Sequence, residues 1–436
     1  MFKFPNKSFL GLYVKNMDVR KKPAPKFFNS SHHRIDVGKI SEGANFVIET
    51  LRSSGYDALL VGGCVRDLIL QNVPNDFDVV TNAKPRDIIK IFGRKSRAIG
   101  RRFRLVHVRS NNEITEVSTF RKTPRSNKIK KKIHKQFKGD NEFGSIADDV
   151  FRRDFTINAL YFDIEQKVVI DYVGGFCDLL ERKLSCIGKP SERFEEDPMR
   201  ILRAIRFATT LKLSMKDMNL AEFSRYGCML DNLSSARLFY ELEKLFLRGS
   251  ATELFSRLVQ LNLVQFLFPV LDRNKMESLA YNHSINTIKI ALQITDSRVK
   301  MGQSATLAFL CAVILWGALK IEIEKLRCEI TDESVIFRIA TENIISNQIK
   351  TIAIPRRVSN IMREIWRIQS AFENPTKRNA NRLLQNDRLR AGYNFFVLRS
   401  KTENHLIHAV DWWRNFFVLA NKMNKLPFPE SETYRL

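Results

Sequence analysis

The chain has 436 residues, 44% hydrophobic and 27% charged, the balance of a folded protein long enough for more than one core. Its 72 Lys and Arg against 47 Asp and Glu give a formal net charge of +25, which concentrates polyanions; nucleic acid leads, because neutralising phosphates releases condensed counterions. Six cysteines without CxxC spacing exclude a disulfide scaffold and a zinc site, and the apolar run 305–319 is too short for a bilayer and reads as a buried helix. With no apolar core of signal-peptide length near its start, the chain is expected in the cytoplasm with no membrane partner.

Residues 1–34 mix Lys, Pro, Asn and Ser without periodicity and are expected to form a flexible basic arm. Ser41 then opens a helix with Phe46, Val47, Ile48 and Leu51 clustered on one side, and Gly55 ends it. Residues 58–61 read as a short buried strand running into Gly62-Gly63, followed by a helix over 65–70 and a second strand over 76–80. A helix over 85–92 and strands near 105–109, 114–120 and 159–163 complete a mixed α/β domain that ends around 171–175.

Residues 121–138 form a polar, Lys-rich insert containing Lys130-Lys131-Lys132. It has almost nothing to bury and is expected to be a mobile loop, either guiding an RNA strand or merely solvated. From Glu195 onward apolar residues recur at three and four, as in Ile201, Leu202, Ile205, Phe207 and Leu238, Leu242, Leu245, Phe246, so the remainder reads as helical. A further shift near Pro355-Arg356-Arg357 begins a basic helical segment carrying Trp366, Trp412 and Trp413, which either pack as core or stack on bases.

Asp76 and Asp78 alternate on the expected strand and so share a face. Two carboxylates held side by side repel one another unless a cation lies between them. Mg²⁺ suits oxygen ligands while leaving positions for substrate phosphates, and a pair of such ions lowers the pKa of an attacking hydroxyl and neutralises departing pyrophosphate. Upstream, Gly62-Gly63 between strand and helix lets backbone N–H groups approach a triphosphate, and Arg66 adds a charge-assisted bond. No Gly-Lys-Ser/Thr and no G-x-G-x-x-G follows, which excludes a Walker loop and a dinucleotide fingerprint.

Leu60-Val61-Gly62-Gly63-Cys64-Val65-Arg66-Asp67 with Asp76-Phe77-Asp78 resembles the catalytic head of the class II template-independent nucleotidyltransferases, in the polymerase-β-like superfamily. That class holds bacterial poly(A) polymerases and tRNA CCA-adding enzymes. Arg152-Arg153-Asp154-Phe155-Thr156-Ile157-Asn158-Ala159-Leu160 is similar to the second motif of the class, and Glu196-Asp197-Pro198-Met199-Arg200, continuing to Phe207, to its nucleotide-selecting motif. The resemblance implies that Gly62, Gly63 and Arg66 meet ATP phosphates, that Asp76 and Asp78 hold the metals, and that Arg153 and Asn158 serve the nucleotide. Asp154 joins the acidic residues, Asp197 and Arg200 present paired hydrogen bonds to the incoming base, and Arg203 and Arg206 assist from the same helix. Glu116 is the candidate third carboxylate, with a strand Glu paired to a Lys as the alternative.

Ala98-Ile99-Gly100-Arg101-Arg102-Phe103-Arg104-Leu105-Val106-His107-Val108 and Ser235-Ala236-Arg237-Leu238-Phe239 resemble the poly(A) polymerase branch. His107 reads as structural or substrate-positioning, and His283 lacks the neighbouring His-Asp pair of a phosphohydrolase. Departures from the pattern are Cys64, where Gly or Ala is commoner, and the absence of a strongly basic tail.

The expected fold is α+β, an N-terminal mixed α/β nucleotidyltransferase head followed by all-helical neck, body and tail. The expected boundaries are an arm 1–34, a head 35–175, a nucleotide-selecting neck 176–250, a body 251–354 and a C-terminal RNA-binding region 355–436. The expected activity is template-independent addition of AMP from ATP to RNA 3′ ends, with Mg²⁺ as cofactor and RNA-decay proteins as downstream partners. A CCA-adding activity on tRNA and a catalytically silent RNA-binding protein are the competing readings.

Overall fold

The computed structural model describes residues 24–100, 105–122, 143–216, 218, 220–274 and 276–422. Residues 1–23 of the expected arm, the pair Arg101-Arg102 and residues 123–138 of the insert lie outside them. The chain forms two compact units, one of residues 1–193 and 211–218 and one of residues 194–210 and 219–436.

The first unit runs β1 (Lys26–Phe28), α1 (Ser30–His33), α2 (Glu42–Ser53), β2 (Ala58–Val61), α3 (Gly63–Ile69), β3 (Asp78–Thr81), α4 (Pro85–Phe92), β4 (Ser96–Ile99), β5 (Leu105–Ser110), β6 (Glu113–Thr119), α5 (Ile146–Val150), β7 (Leu160–Asp163), β8 (Val168–Asp171) and α6 (Gly175–Leu180). The strands make one eight-stranded sheet in the order β1-β8-β7-β2-β3-β6-β5-β4. Pairing is antiparallel except between β3 and β6, which run parallel, because α4, β4 and β5 carry the chain over before β6 returns.

Local chemistry explains the elements that bracket the site. The Ser41 side chain accepts the Ala44 N–H and caps α2, whose Ala44, Val47, Ile48 and Leu51 are buried. Every residue of β2 is buried, as a strand flanked by β7 and β3 requires. Pro85 starts α4 and Gly93, at φ +52°, ends it. Leu59, Val61, Val80, Phe120, Val150, Ala159 and Tyr161 pack into one apolar cluster of this unit.

Three strands were not expected, and one expected region is corrected. Residues 26–28 of the arm pair with Val169, Ile170 and Asp171 of β8, and Phe28 stacks on Phe176 at 4.1 Å. Residues 24–34 are therefore part of the fold, and a three-residue edge strand is too short to show periodicity. β4 and β8 were likewise unexpected, and β4 leaves three of its four residues exposed, so it shows no buried face. β3 begins at Asp78, so Asp76 lies in the bend before the strand.

The second unit is helical among the described residues. Helix α7 (Pro190–Glu196) enters it at Phe194, and α8 (Met199–Thr210), α9 (Leu220–Gly227) and α10 (Ser235–Phe246) follow. Longer helices Ser278–Lys300, Leu307–Arg327 and Glu333–Thr351 come next; the second contains the apolar run, buried from Leu307 to Leu315 apart from Phe309. No helix among the described residues is long and apolar enough to cross a membrane. Trp366 and Trp413 are core: their indole N–H groups donate to the Ala312 and Phe372 carbonyls at 3.0 and 2.9 Å. Neither can stack on a base, while Trp412 is half-buried and stacks on Phe416.

Candidate active site

In the first unit the site grows from the turn between β2 and α3. Gly62 stands at φ +79° and ψ −127°, conformational space closed to residues with a Cβ, and its N–H donates to the Leu160 carbonyl of β7 at 3.0 Å. A methyl group there would lie 3.3 Å from Arg153 Nη1. The turn thus brings the first motif against the second. One turn later Arg66 is buried, with Nη1 donating to Asn158 Oδ1 at 2.7 Å and Nε to Asp67 Oδ1 at 2.9 Å. Asn158 passes the link on, its amide donating to Asp154 Oδ1 at 3.3 Å.

Arg153 rests on a polar cluster that the motifs did not reveal. Its Nη2 donates to Asp149 Oδ2 at 2.9 Å, its Nε to the Tyr161 hydroxyl at 3.2 Å, and that hydroxyl donates to the same Asp149 oxygen at 2.9 Å. Burial works against the charge on Arg153, yet Tyr161 and Asp149 hold its pKa above the ordinary value; burial pushes the Tyr161 hydroxyl upward as well. The guanidinium stays charged and pinned. Spacing alone offered one signal for Asp149, which precedes Arg153 by four positions. Behind the second motif, a Cβ at Gly175 would meet the Thr156 carbonyl oxygen, so only glycine lets α6 approach.

The carboxylates are distributed unevenly. Asp78 opens β3 half-buried and Asp76 is exposed in the bend before it. The Cys64 thiol lies 3.9 Å from the Asp78 carbonyl and 3.3 Å from that of Val61, tying the glycine turn to the start of β3. Burial pushes this thiol up to about 12, so it stays protonated and inert. Parallel register sets Glu116 of β6 beside Asp78, but its carboxylate engages His107 Nε2 of β5 at 3.3 Å. Among the described residues, no three His, Cys, Asp or Glu side chains gather as a metal cluster. Glu116 is thus next to Asp78 in the sheet, and it pairs with a histidine rather than a lysine.

The residues expected to select the nucleotide belong to the second unit. Asp197 accepts from Arg237 Nη2 at 3.0 Å, and its other oxygen takes the Met199 N–H at 3.3 Å at the start of α8. Arg200, buried, donates to Glu196 Oε2 at 2.7 Å. Arg206 donates to the buried Glu241 of α10 at 2.7 Å; burial lowers its pKa and Glu241 opposes that shift. Arg203 and Arg206 both lie over the Phe207 ring, at 5.3 and 4.4 Å. Asp197, Arg200 and Arg206 are therefore each oriented by a protein partner, of which Glu196 and Arg237 stood inside the motifs while Glu241 carried no signal.

Residues 58–185 match the family described as Poly A polymerase head domain, residues 220–275 that described as Probable RNA and SrmB- binding site of polymerase A, and residues 332–432 that described as Polymerase A arginine-rich C-terminus. Poly(A) polymerase I of Escherichia coli O6:H1 is 36% identical over 420 residues, covering 92% of this chain and 90% of that protein. A CCA-adding enzyme of Anoxybacillus flavithermus is also 36% identical, but over 231 residues, 53% of this chain and 56% of that protein. The fold is shared with the Thermotoga maritima CCA-adding enzyme complexed with tRNA, at TM-score 0.57 and 18% identity over 90% of this chain and 85% of that one. Head, RNA-binding segment and arginine-rich C-terminus occur in order, and the match runs nearly end to end: the chain belongs to the bacterial poly(A) polymerase family of nucleotidyltransferases.

Proposed function

We infer that this chain is a template-independent poly(A) polymerase, adding AMP from ATP to RNA 3′ ends in the cytoplasm. The observation that carries the reading is the span of the similarity. A poly(A) polymerase matches over nine-tenths of the chain, whereas a CCA-adding enzyme of equal identity matches only about half.

In the reaction the RNA 3′-oxygen attacks the α-phosphorus of ATP, the bond from that phosphorus to the β-bridging oxygen breaks, and pyrophosphate leaves. Gly62 and Gly63 offer backbone without side chains to the triphosphate. Arg66, oriented by Asp67 and Asn158, meets the phosphates with a preset fork. Arg153 supplies a second fixed charge, held in place by Asp149 and Tyr161.

Asp76 and Asp78 are the metal-holding pair. Exposed and half-exposed oxygen donors at one strand end suit Mg²⁺, which keeps several waters and needs only one or two carboxylates. When bound, the ion supplies a lowered pKa at the attacking hydroxyl and charge neutralisation at the leaving group. Asp154 and Glu116 stay in supporting positions, the first bonded to Asn158 and the second to His107.

Asp197 is an acceptor and Arg200 a donor, the pattern that reads an exocyclic amine beside a ring nitrogen. Adenine and cytosine share it, so this pair alone does not separate AMP addition from CCA addition. Arg203 and Arg206 back it from α8. The tail so grown would mark RNA for decay proteins.

The deciding experiment supplies the full chain with an unstructured oligoribonucleotide and ATP or CTP. Long A homopolymers are expected, and addition stopping after CCA would favour the tRNA-directed reading. Asp78→Ala is expected to abolish AMP incorporation while RNA affinity persists; persistent incorporation would remove Asp78 from the metal site.

A further inference from the structure

We propose that the exposed edge of α10 is an RNA platform, with Tyr240 stacking on a base of the bound strand while Lys244 and Arg248 take its phosphates. The inference rests on the RNA-extending reading and assigns particular residues to it. Arg237, Tyr240 and Lys244 recur at three and four along α10 and so share one edge, with Arg248 just beyond the helix end. Tyr240 is 60% exposed, and Lys244 Nζ lies 4.3 Å from its ring centroid. An aromatic face held beside a cation presents the two surfaces that a nucleotide offers in return, a base to stack and a phosphate to pair.

Charge on this edge is lopsided. Of the two acidic residues between Tyr240 and Lys244, Glu241 is turned inward, 4% exposed, and bound to Arg206, which leaves the half-buried Glu243 against Arg237, Lys244 and Arg248. Burial first, then Arg206, Arg203 and Arg248, press the Lys244 ammonium below its ordinary pKa, with Glu241 opposing. Cations gathered this closely repel one another, and a phosphate backbone relieves that repulsion. At its other end the edge meets the nucleotide-selecting site, since Arg237 holds Asp197. From Arg237 to Lys244 the helix rises about 10 Å, roughly three stacked nucleotides at 3.4 Å each. A strand lying here has its terminal bases beside the residues that choose the next one. An acidic peptide would use the cations but leaves the ring without a role.

The test measures affinity of the full-length protein for oligo(A) by fluorescence anisotropy, with circular dichroism as the folding control. Tyr240→Ala is expected to weaken binding about 5- to 150-fold, and Tyr240→Phe to match the wild type. Replacing successive nucleotides with abasic ones should locate one position whose loss weakens wild-type binding and leaves Tyr240→Ala unaffected. Lys244→Ala should make the salt dependence shallower by about one phosphate contact. Wild-type affinity in Tyr240→Ala, or the same abasic penalties in both proteins, overturns the platform while the enzymatic reading survives. A wild-type protein that neither binds nor extends RNA overturns both.

Discussion

Gly62 and Asp149 are small parts of the candidate active site, yet each constrains it in a way that a single substitution can measure. Gly62 occupies backbone space that other residues avoid, directly against Arg153. Gly62→Ala is expected to cost about 1–3 kcal/mol of stability and to lower AMP incorporation more than tenfold, read from urea unfolding and from extension kinetics. Asp149 is the counter-charge of Arg153 in a buried cluster. Removing it leaves a guanidinium desolvated and unmatched, so Asp149→Asn should destabilise the protein by on the order of 3 kcal/mol and raise KM for ATP. Tyr161→Phe removes two hydrogen bonds, one from Arg153 and one to Asp149, and keeps the ring and the charge pair, so it should cost about 1–2 kcal/mol; equal effects of the two substitutions would show that charge is not what holds Arg153. The residues proposed to contact substrate were legible because they form short motifs. Their partners were not, since Asp149 and Glu241 look like ordinary surface carboxylates until the fold buries them.

Among the elements, the edge formed by β1 and α1 has a built-in pH response. His33 is buried; its Nδ1 accepts the Ile35 N–H at 2.9 Å and its Nε2 faces the Lys167 carbonyl at 3.0 Å. Those partners suit one neutral tautomer, and burial lowers the pKa. A histidine whose folded pKa lies below its unfolded value binds more protons when unfolded. Its contribution is therefore complete above about pH 6.5 and is lost as pH falls below it. The unfolding temperature should drop as pH falls below about 6.5, and His33→Asn should flatten that slope; an unchanged slope would assign it elsewhere. The strong elements α2, β2, α4, β5 and β6 were readable from caps and patterns. The weak ones, β1, β4 and β8, are strands of three or four residues that exist because a neighbour offers hydrogen bonds.

For the whole molecule, the net charge of +25 makes RNA capture an electrostatic problem. On single strands, log affinity should fall linearly with log salt at about −0.7 per phosphate contact, so a slope of −3 or steeper is expected from roughly four contacts or more. A flat response would detach the basic surface from RNA binding. The choice between the two branches of the family also belongs here, because the paired hydrogen bonds proposed for Asp197 and Arg200 would suit both adenine and cytosine while similarity along nearly the full length favours poly(A) polymerase.

Reaction class was spelled locally. Gly62 to Arg66, Asp76 to Asp78, Arg153 to Asn158 and Asp197 to Arg200 each span a few residues, and covalent proximity alone places their functional groups together. Folding in three dimensions chose the distant partners. Arg66 reaches Asn158 across 92 positions, Glu116 stands in register between Asp78 and His107 and pairs with the histidine, and Trp366 and Trp413 are consumed by the core. Such meetings depend on strand order, register and helix packing, which no short stretch of chain encodes.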